Sequence, residues 1–195
     1  MNGQVVAFAG PIGSRKSELS RALAERLHWP RRSFGDFLRD QAKANAMDAG
    51  DRAVLQQLGQ ARVQSDPDRF VADVLEGHDW AAHPNLVLDG LRHAEVRHAL
   101  LLQLAKLDVA LRLVFVDIEE PLRQRQAEER GVPLRLLATY DRDLTEAQVS
   151  RVIRAYADIV VPGSLPFTVA VDTIVSRLSL RETSPGQLKA ALHEN

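Results

Sequence analysis

Short apolar runs of strand length alternate with stretches whose apolar residues recur at helical spacing, and this order constrains the fold more than any other feature. Val5–Ala9 ends at Gly10 and reads as a buried strand. Ser14–Leu27 follows, with Leu19, Ala22, Leu23 and Leu27 on one helical face. Arg32–Phe34 predicts a short second strand, and helices are predicted from about Asp36 to Ala46, over Asp51–Gln64 and over Pro67–Glu76, with Pro67 suited to a first helical turn. Leu86–Leu88 is the next strand, closed by Asp89–Gly90. A helix from about Ala94 to Leu107, the strand Leu111–Val116 and the helix Pro121–Arg130, with Gly131 at its C′ position, come next. Thr145–Glu146–Ala147–Gln148 has the form of a capping box and predicts a helix to about Tyr156. Ile159–Val161 reads as the last core strand, Thr168–Val171 as an extra strand, and Val171–Leu180 as the terminal helix.

Strands alternating with helices predict a parallel sheet of about five strands with helices on both faces. Ligands of such sheets sit beyond the carboxyl ends of the strands. Two segments that interrupt the alternation, 34–77 and 130–145, leave from that edge and are candidates for substrate-binding and lid elements. A chain of 195 residues, 45% of them hydrophobic, is expected to form one domain over 1–195. A net charge of −1 argues against a basic module for nucleic-acid polymers. The absence of cysteine removes disulfides, thiol nucleophiles and Cys-ligated zinc, and fits a reducing compartment. The first residues carry no basic segment and only a short apolar run, so neither a signal peptide nor a membrane span is expected, and the cytoplasm is the expected location.

The first strand runs into Gly10–Pro11–Ile12–Gly13–Ser14–Arg15–Lys16–Ser17. This is the G-x-x-x-x-G-K-[ST] pattern with Arg15 in place of the second motif glycine. Glycines let such a loop turn consecutive N–H groups onto one phosphate, and the following helix aims its positive end at the same anion. Lys16 would reach the β- and γ-phosphates of a nucleotide, and Ser17 would ligate Mg²⁺. Arg15 leaves three options open: pointing to solvent, adding a cation, or blocking the site. The only lysines are Lys16, Lys43, Lys106 and Lys189, which makes a lysine in this loop stand out. Leu86–Val87–Leu88–Asp89 is an aliphatic run ending in a carboxylate, the Walker B pattern, and places Asp89 as a second Mg²⁺ residue, acting through water. The histidines show no metal-ligand spacing, and His93 and His98 read as structural or solvated.

Further motifs carry a resemblance. These are Ser33–Phe34–Gly35–Asp36–Phe37–Leu38–Arg39, Arg52–Ala53–Val54–Leu55–Gln56–Gln57–Leu58–Gly59, Asp89–Gly90–Leu91–Arg92, Val114–Phe115–Val116–Asp117 and Ala157–Asp158–Ile159–Val160–Val161–Pro162–Gly163–Ser164. Together with the phosphate loop they make the chain, from about Val5 to Val161, resemble the P-loop nucleoside and deoxynucleoside monophosphate kinases, with cytidylate and dephospho-coenzyme A kinases among the relatives. The resemblance implies a three-layer α/β/α P-loop fold with an acceptor-binding insertion over 34–77 and a lid over 123–145. It implies ATP and Mg²⁺ on the donor side and a small phosphorylated acceptor on the other, the acceptor meeting Asp36, Arg39, Gln56 and Arg92. For Gln56 a helical surface position weighs equally. Arg130 is the lid match, while Gln126 stands where the family has the first lid arginine and Arg123 is the substitute if the register differs. The region after Ile159 would border adenine. The expected reaction is transfer of the γ-phosphoryl of ATP to a (deoxy)nucleoside monophosphate. The departures at Arg15 and Gln126 keep two alternatives in view: a degenerate ATP-binding or weakly hydrolysing module, and a kinase of another small molecule such as dephospho-coenzyme A.

Overall fold

The computed structural model describes residues 3–129 and 149–183. Five strands pair in parallel in the order β2-β3-β1-β4-β5. They are β1 (Gly3–Ala9), β2 (Arg31–Ser33), β3 (Leu86–Asp89), β4 (Val109–Asp117) and β5 (Ile159–Pro162). The helices are α1 (Lys16–Leu27), α2 (Phe34–Ala44), α3 (Arg52–Ser65), α4 (Pro67–Leu75), α5 (Ala94–Ala105), α6 (Glu120–Glu129) and α7 (Phe167–Arg177).

The pleat sorts the apolar residues of β1 into two cores. Val5, Ala7 and Ala9 face α4 and α5, where Phe70, Val71, Val74, Val96 and Leu100 complete one core. Val6 and Phe8 face α1 and α7, where Leu19, Leu23, Leu27, Val171 and Ile174 complete the other. Burial on both faces explains why the central strands read as unbroken apolar runs. The strand order also fixes where a ligand can sit. The chain leaves β1 toward β2 but leaves its neighbour β4 toward β5, so a crevice opens at the carboxyl edge between them.

Side chains set the helix starts on that edge. Ser33 Oγ accepts from the Asp36 amide at 3.2 Å, so β2 passes directly into α2 at Phe34 and not after a loop ending at Asp36. Asp51 caps α3 and Asp66 caps α4, with Pro67 at the first helical position of α4.

Three further expectations are corrected. Thr168–Val171 is not a strand but the start of α7. Its β-branched residues suggest extended backbone, yet Phe167, Ala170, Val171 and Ile174 form an i, i+3, i+4, i+7 stripe, and burying that stripe against α1 outweighs the local preference. The first helix begins at Lys16 and not at Ser14, because Arg15 takes a left-handed φ of 63°. The chain before β5 is a π-helical turn, Val149–Ile153, followed by a 3₁₀ turn, Arg154–Tyr156, rather than an α-helix to Tyr156. The capping box at Thr145 and the C′ position of Gly131 lie outside the described residues. Among the described residues no helix is long and apolar enough to cross a membrane.

Candidate functional site

The loop from Gly10 to Arg15 joins the carboxyl end of β1 to the amino end of α1. Gly10 has a φ of 149°, and a Cβ there would lie 2.5 Å from the Val116 carbonyl oxygen of β4, so only glycine fits against the neighbouring strand. Pro11, Ile12 and Gly13 turn the chain, and the Ser14 amide closes the turn by donating to the Pro11 carbonyl at 3.3 Å. Helix α6 braces the turn from outside. Arg123 is buried, donates from Nε to Glu120 at 2.8 Å and reaches the Ile12 carbonyl with Nη1 at 3.5 Å, its stem running past Gly13. Arg123 is thus a brace of the loop. Gln126, one turn further along α6, is buried, and its Oε1 has no hydrogen-bond partner among the described residues.

Arg15 settles differently from the readings open in the sequence. Its backbone keeps the left-handed conformation that glycine adopts without strain. Its side chain turns toward α7, where the guanidinium lies 4.0 Å from the centre of the Phe167 ring. The half-buried cation is therefore stacked on an aromatic face and is not loose in solvent.

Lys16 and Ser17 open α1 and line a cavity of about 200 Å³. Lys16 is buried, with Nζ 3.4 Å from the Pro11 carbonyl. Burial pushes its ammonium down to about 7, the charge of Arg92 pushes the same way, and Asp89 opposes them. Asp89, at the end of β3, lines the same cavity. One of its oxygens accepts from Arg31 Nη2 at 2.7 Å; the other, Oδ1, is buried with no hydrogen-bond partner among the described residues. A carboxylate with one oxygen held and one left over, in the same lining as a serine hydroxyl, suits a hard cation that takes oxygen ligands and keeps several waters.

The far wall of the cavity comes from the helices after β2 and from the loop after β3. Arg39 and Leu38 of α2, Arg52, Leu55 and Gln56 of α3, and Arg92 after Gly90 all line it. Gln56 Nε2 is buried with no hydrogen-bond partner among the described residues. Asp36 does not line the cavity; it holds Arg39 by a direct ion pair one helical turn away and accepts from Arg31 Nη1 at 3.3 Å. Burial raises the Asp36 carboxyl, but its hydrogen bond to Arg39 and the charges of Arg39 and Arg31 outweigh that and hold it below the usual carboxylate range. Of the candidate residues, then, Lys16, Ser17, Arg39, Gln56, Asp89 and Arg92 surround one cavity. Arg130 lies outside the described residues.

Sequence reasoning missed two arginines here. Arg52 lines the cavity and was visible as the first residue of the stretch that supplied Gln56. Arg31 stands in β2, two residues before Ser33 and so on the same face of the strand, a position where a charge needs a partner. His93, expected to be structural or solvated, is buried in the cavity wall.

The described fold is similar to three solved structures. They are a sugar kinase from Janibacter sp. HTCC2649 (14% identity, TM-score 0.59, covering 96% of this chain and 98% of that chain), the shikimate kinase of Aquifex aeolicus vf5 (18%, 0.55, 90% and 96%) and an uncharacterized protein from Eubacterium ventriosum ATCC 27560 (15%, 0.56, 91% and 99%). A scan against protein-family models found no match. A search of the curated proteins found no significant match either. The likeness shows the fold: an α/β, shikimate kinase-like P-loop architecture.

Proposed function

We propose that this chain is an ATP-dependent phosphotransferase that moves the γ-phosphoryl of ATP to a small phosphorylated acceptor, a nucleoside or deoxynucleoside monophosphate. One observation carries this reading. A single cavity joins the phosphate loop, through Lys16 and Ser17, to a wall carrying Arg39, Arg52 and Arg92, with Asp89 in the same lining. Its lining has three arginines, and a lysine held down to about 7, against one carboxylate, so an anion would be drawn in from both sides. The apolar side chains of Phe34, Leu38, Leu55, Phe70 and Val96 in the same wall suit a planar base, and the buried Gln56 amide suits a base edge. These features favour a nucleotide acceptor over the small polar acceptors that the names of the shikimate and sugar kinases imply.

The chemistry asks little covalent work of the protein; positioning and charge neutralisation do most of it. Ser17 and Asp89 would hold Mg²⁺, which when bound with ATP neutralises charge on the β- and γ-phosphate oxygens. Lys16 would hold the same phosphates, regaining its full charge as the anion arrives. Arg39 and Arg92 would grip the acceptor phosphate, since a guanidinium fork matches two phosphate oxygens at once. Arg130, from the lid region, would close over the transferring group.

The test is transfer of ³²P from γ-labelled ATP with Mg²⁺ to a panel of nucleoside monophosphates, dephospho-coenzyme A, shikimate and hexoses. Turnover with a nucleoside monophosphate is expected, with a loss of about 10²–10³ in kcat for Lys16→Ala. Turnover confined to a non-nucleotide acceptor, or full turnover in Lys16→Ala, overturns the reading.

A further inference from the structure

An unbroken chain of ion pairs crosses the site from the acceptor wall to the donor edge. Arg39 contacts Asp36 Oδ1; Arg31 Nη1 reaches Asp36 Oδ2 at 3.3 Å; Arg31 Nη2 bonds Asp89 Oδ2 at 2.7 Å. Arg31 Nε is fixed by Ser20 Oγ of α1 at 2.9 Å, and Ser20 in turn donates to the Ser17 carbonyl at 2.9 Å. One guanidinium thus ties together β2, the start of α2, the end of β3 and the first turns of α1.

The chain is graded in burial. The Arg31 and Asp89 side chains are 16% and 5% exposed, whereas Asp36 and Arg39 are 47% and 45% exposed. The Arg39–Asp36 link is therefore the one that water and competing anions weaken most easily, and the Arg31–Asp89 link the one that resists them. Arg31 is committed to Asp89, at 2.7 Å against 3.3 Å to Asp36, while Asp36 is occupied by Arg39.

We propose that Arg31 is a positioning residue that couples the two halves of the site: an anion gripped by Arg39 releases Asp36, Asp36 draws Arg31 toward itself, and Asp89 is freed for the donor side. The proposal rests on the phosphotransferase reading for the identity of the two ligands, and its physical content is competition for shared charges. A phosphate on Arg39 displaces the Asp36 carboxylate, because a dianion outcompetes a half-exposed monoanion for the same guanidinium. The released carboxylate has a second cation already 3.3 Å away. Whatever charge Arg31 gives to Asp36 it withdraws from Asp89, whose other oxygen is already without a partner among the described residues. Acceptor and donor should then bind with positive coupling, and by linkage each should strengthen the other equally.

The experiment measures, by calorimetry, the affinity of a non-hydrolysable ATP analogue with Mg²⁺, with and without each of the four common deoxynucleoside monophosphates at saturation. For the natural chain the acceptor is expected to tighten analogue binding about five-fold or more. Arg31→Gln should bind the analogue alone at least as tightly as the natural chain does, because Asp89 is already released, and the acceptor should then change that affinity by less than two-fold. Arg31→Lys, which keeps the charge without the fork, should retain part of the coupling. Asp36→Asn, at a half-exposed position that should fold normally, should lose the coupling by removing the middle of the chain. A merely structural Arg31 would instead weaken both ligands together in Arg31→Gln and leave the coupling in Asp36→Asn, which overturns the proposal. Analogue binding with no acceptor effect in the natural chain also overturns it, while leaving the phosphotransferase reading standing. Absence of any analogue binding sinks that reading and the proposal with it.

Discussion

Lys16 is the residue whose environment says most about what the site expects. An ammonium whose ordinary value is 10.5 sits at about 7, with burial as the largest cause and Arg92 as the next. The unfolded chain therefore holds a proton on Lys16 that the folded chain has given up over the window between those values. Stability should rise with pH across that window, because the state that binds more protons is the unfolded one. Below about 7 both states are protonated and the cost of the buried cation is borne in full; above 10.5 neither is, and the cost is gone. Thermal unfolding of the ligand-free protein from pH 7 to 9.5 is expected to show this rise, on the scale of a few kcal/mol at most, and Lys16→Met should flatten it. On the proposed reading, the same displacement would make ATP binding a proton-uptake event. At pH 8 the empty site holds a mostly neutral lysine and the filled site a charged one, so calorimetry of ATP binding in buffers of different ionisation enthalpy should report up to about one proton taken up. No uptake at pH 8, or uptake that survives in Lys16→Met, would separate Lys16 from the phosphates.

The contact of the phosphate loop with α7 decides what Arg15 is worth. Its left-handed backbone costs a non-glycine residue roughly 1–2 kcal/mol, and its stack on Phe167 returns about 0.5–1 kcal/mol. Arg15→Gly loses the stack but also the strain, and should unfold within about 1 kcal/mol of the natural chain; Arg15→Ala keeps the strain without the stack and should be the less stable of the two. Denaturation midpoints of the two variants check this, and equal destabilisation by both would mean that the strain is absent. The element scale also shows how far the sequence could be read. β1, β3 and β4 were legible because burial on both faces leaves a run of aliphatics with no alternative reading, and α4 because Pro67 marks its start. α7 was misread in its first turn, where β-branched side chains make local preference point the wrong way and only the partner helix α1 decides. Of the cavity residues, Lys16, Ser17 and Asp89 were legible through motif spacing and residue chemistry, and Arg39, Gln56 and Arg92 only through the resemblance to kinase motifs. Arg31 was not, because its meaning lies in Asp36 and Asp89, which stand 5 and 58 positions away along the chain.

At the scale of the whole molecule, the candidate site is a seam between the carboxyl edge of the sheet and the helices that follow β2, and a ligand in it would contact both. Anything that binds only the folded chain stabilises it by mass action, by about 2.7 kcal/mol at a hundred times its dissociation constant. For a chain of 195 residues each kcal/mol is worth roughly 2–4 °C in Tm, so ATP with Mg²⁺ at that excess should raise Tm by about 5–10 °C. The comparison that gives this meaning is Lys16→Met. Removing a buried amine and leaving a side chain of similar volume relieves the cost of burying the cation, so the empty variant should melt no lower than the natural chain. On the proposed reading the same variant would have lost the cation that holds the phosphates and should show little or no ATP shift. A nucleoside monophosphate added alone should still raise the Tm of Lys16→Met, because Arg39, Arg52 and Arg92 remain on the far wall. Both halves of this pattern are needed. A variant that melts lower and loses both shifts has merely been damaged. A full ATP shift in Lys16→Met would move the donor site away from the Gly10–Ser17 loop. An ATP shift in the natural chain without transfer to any acceptor would make the protein a nucleotide-binding module built on a kinase-like fold, with Arg15 and Gln126, the positions that depart from the motif and the lid pattern, as the first places to look for the reason.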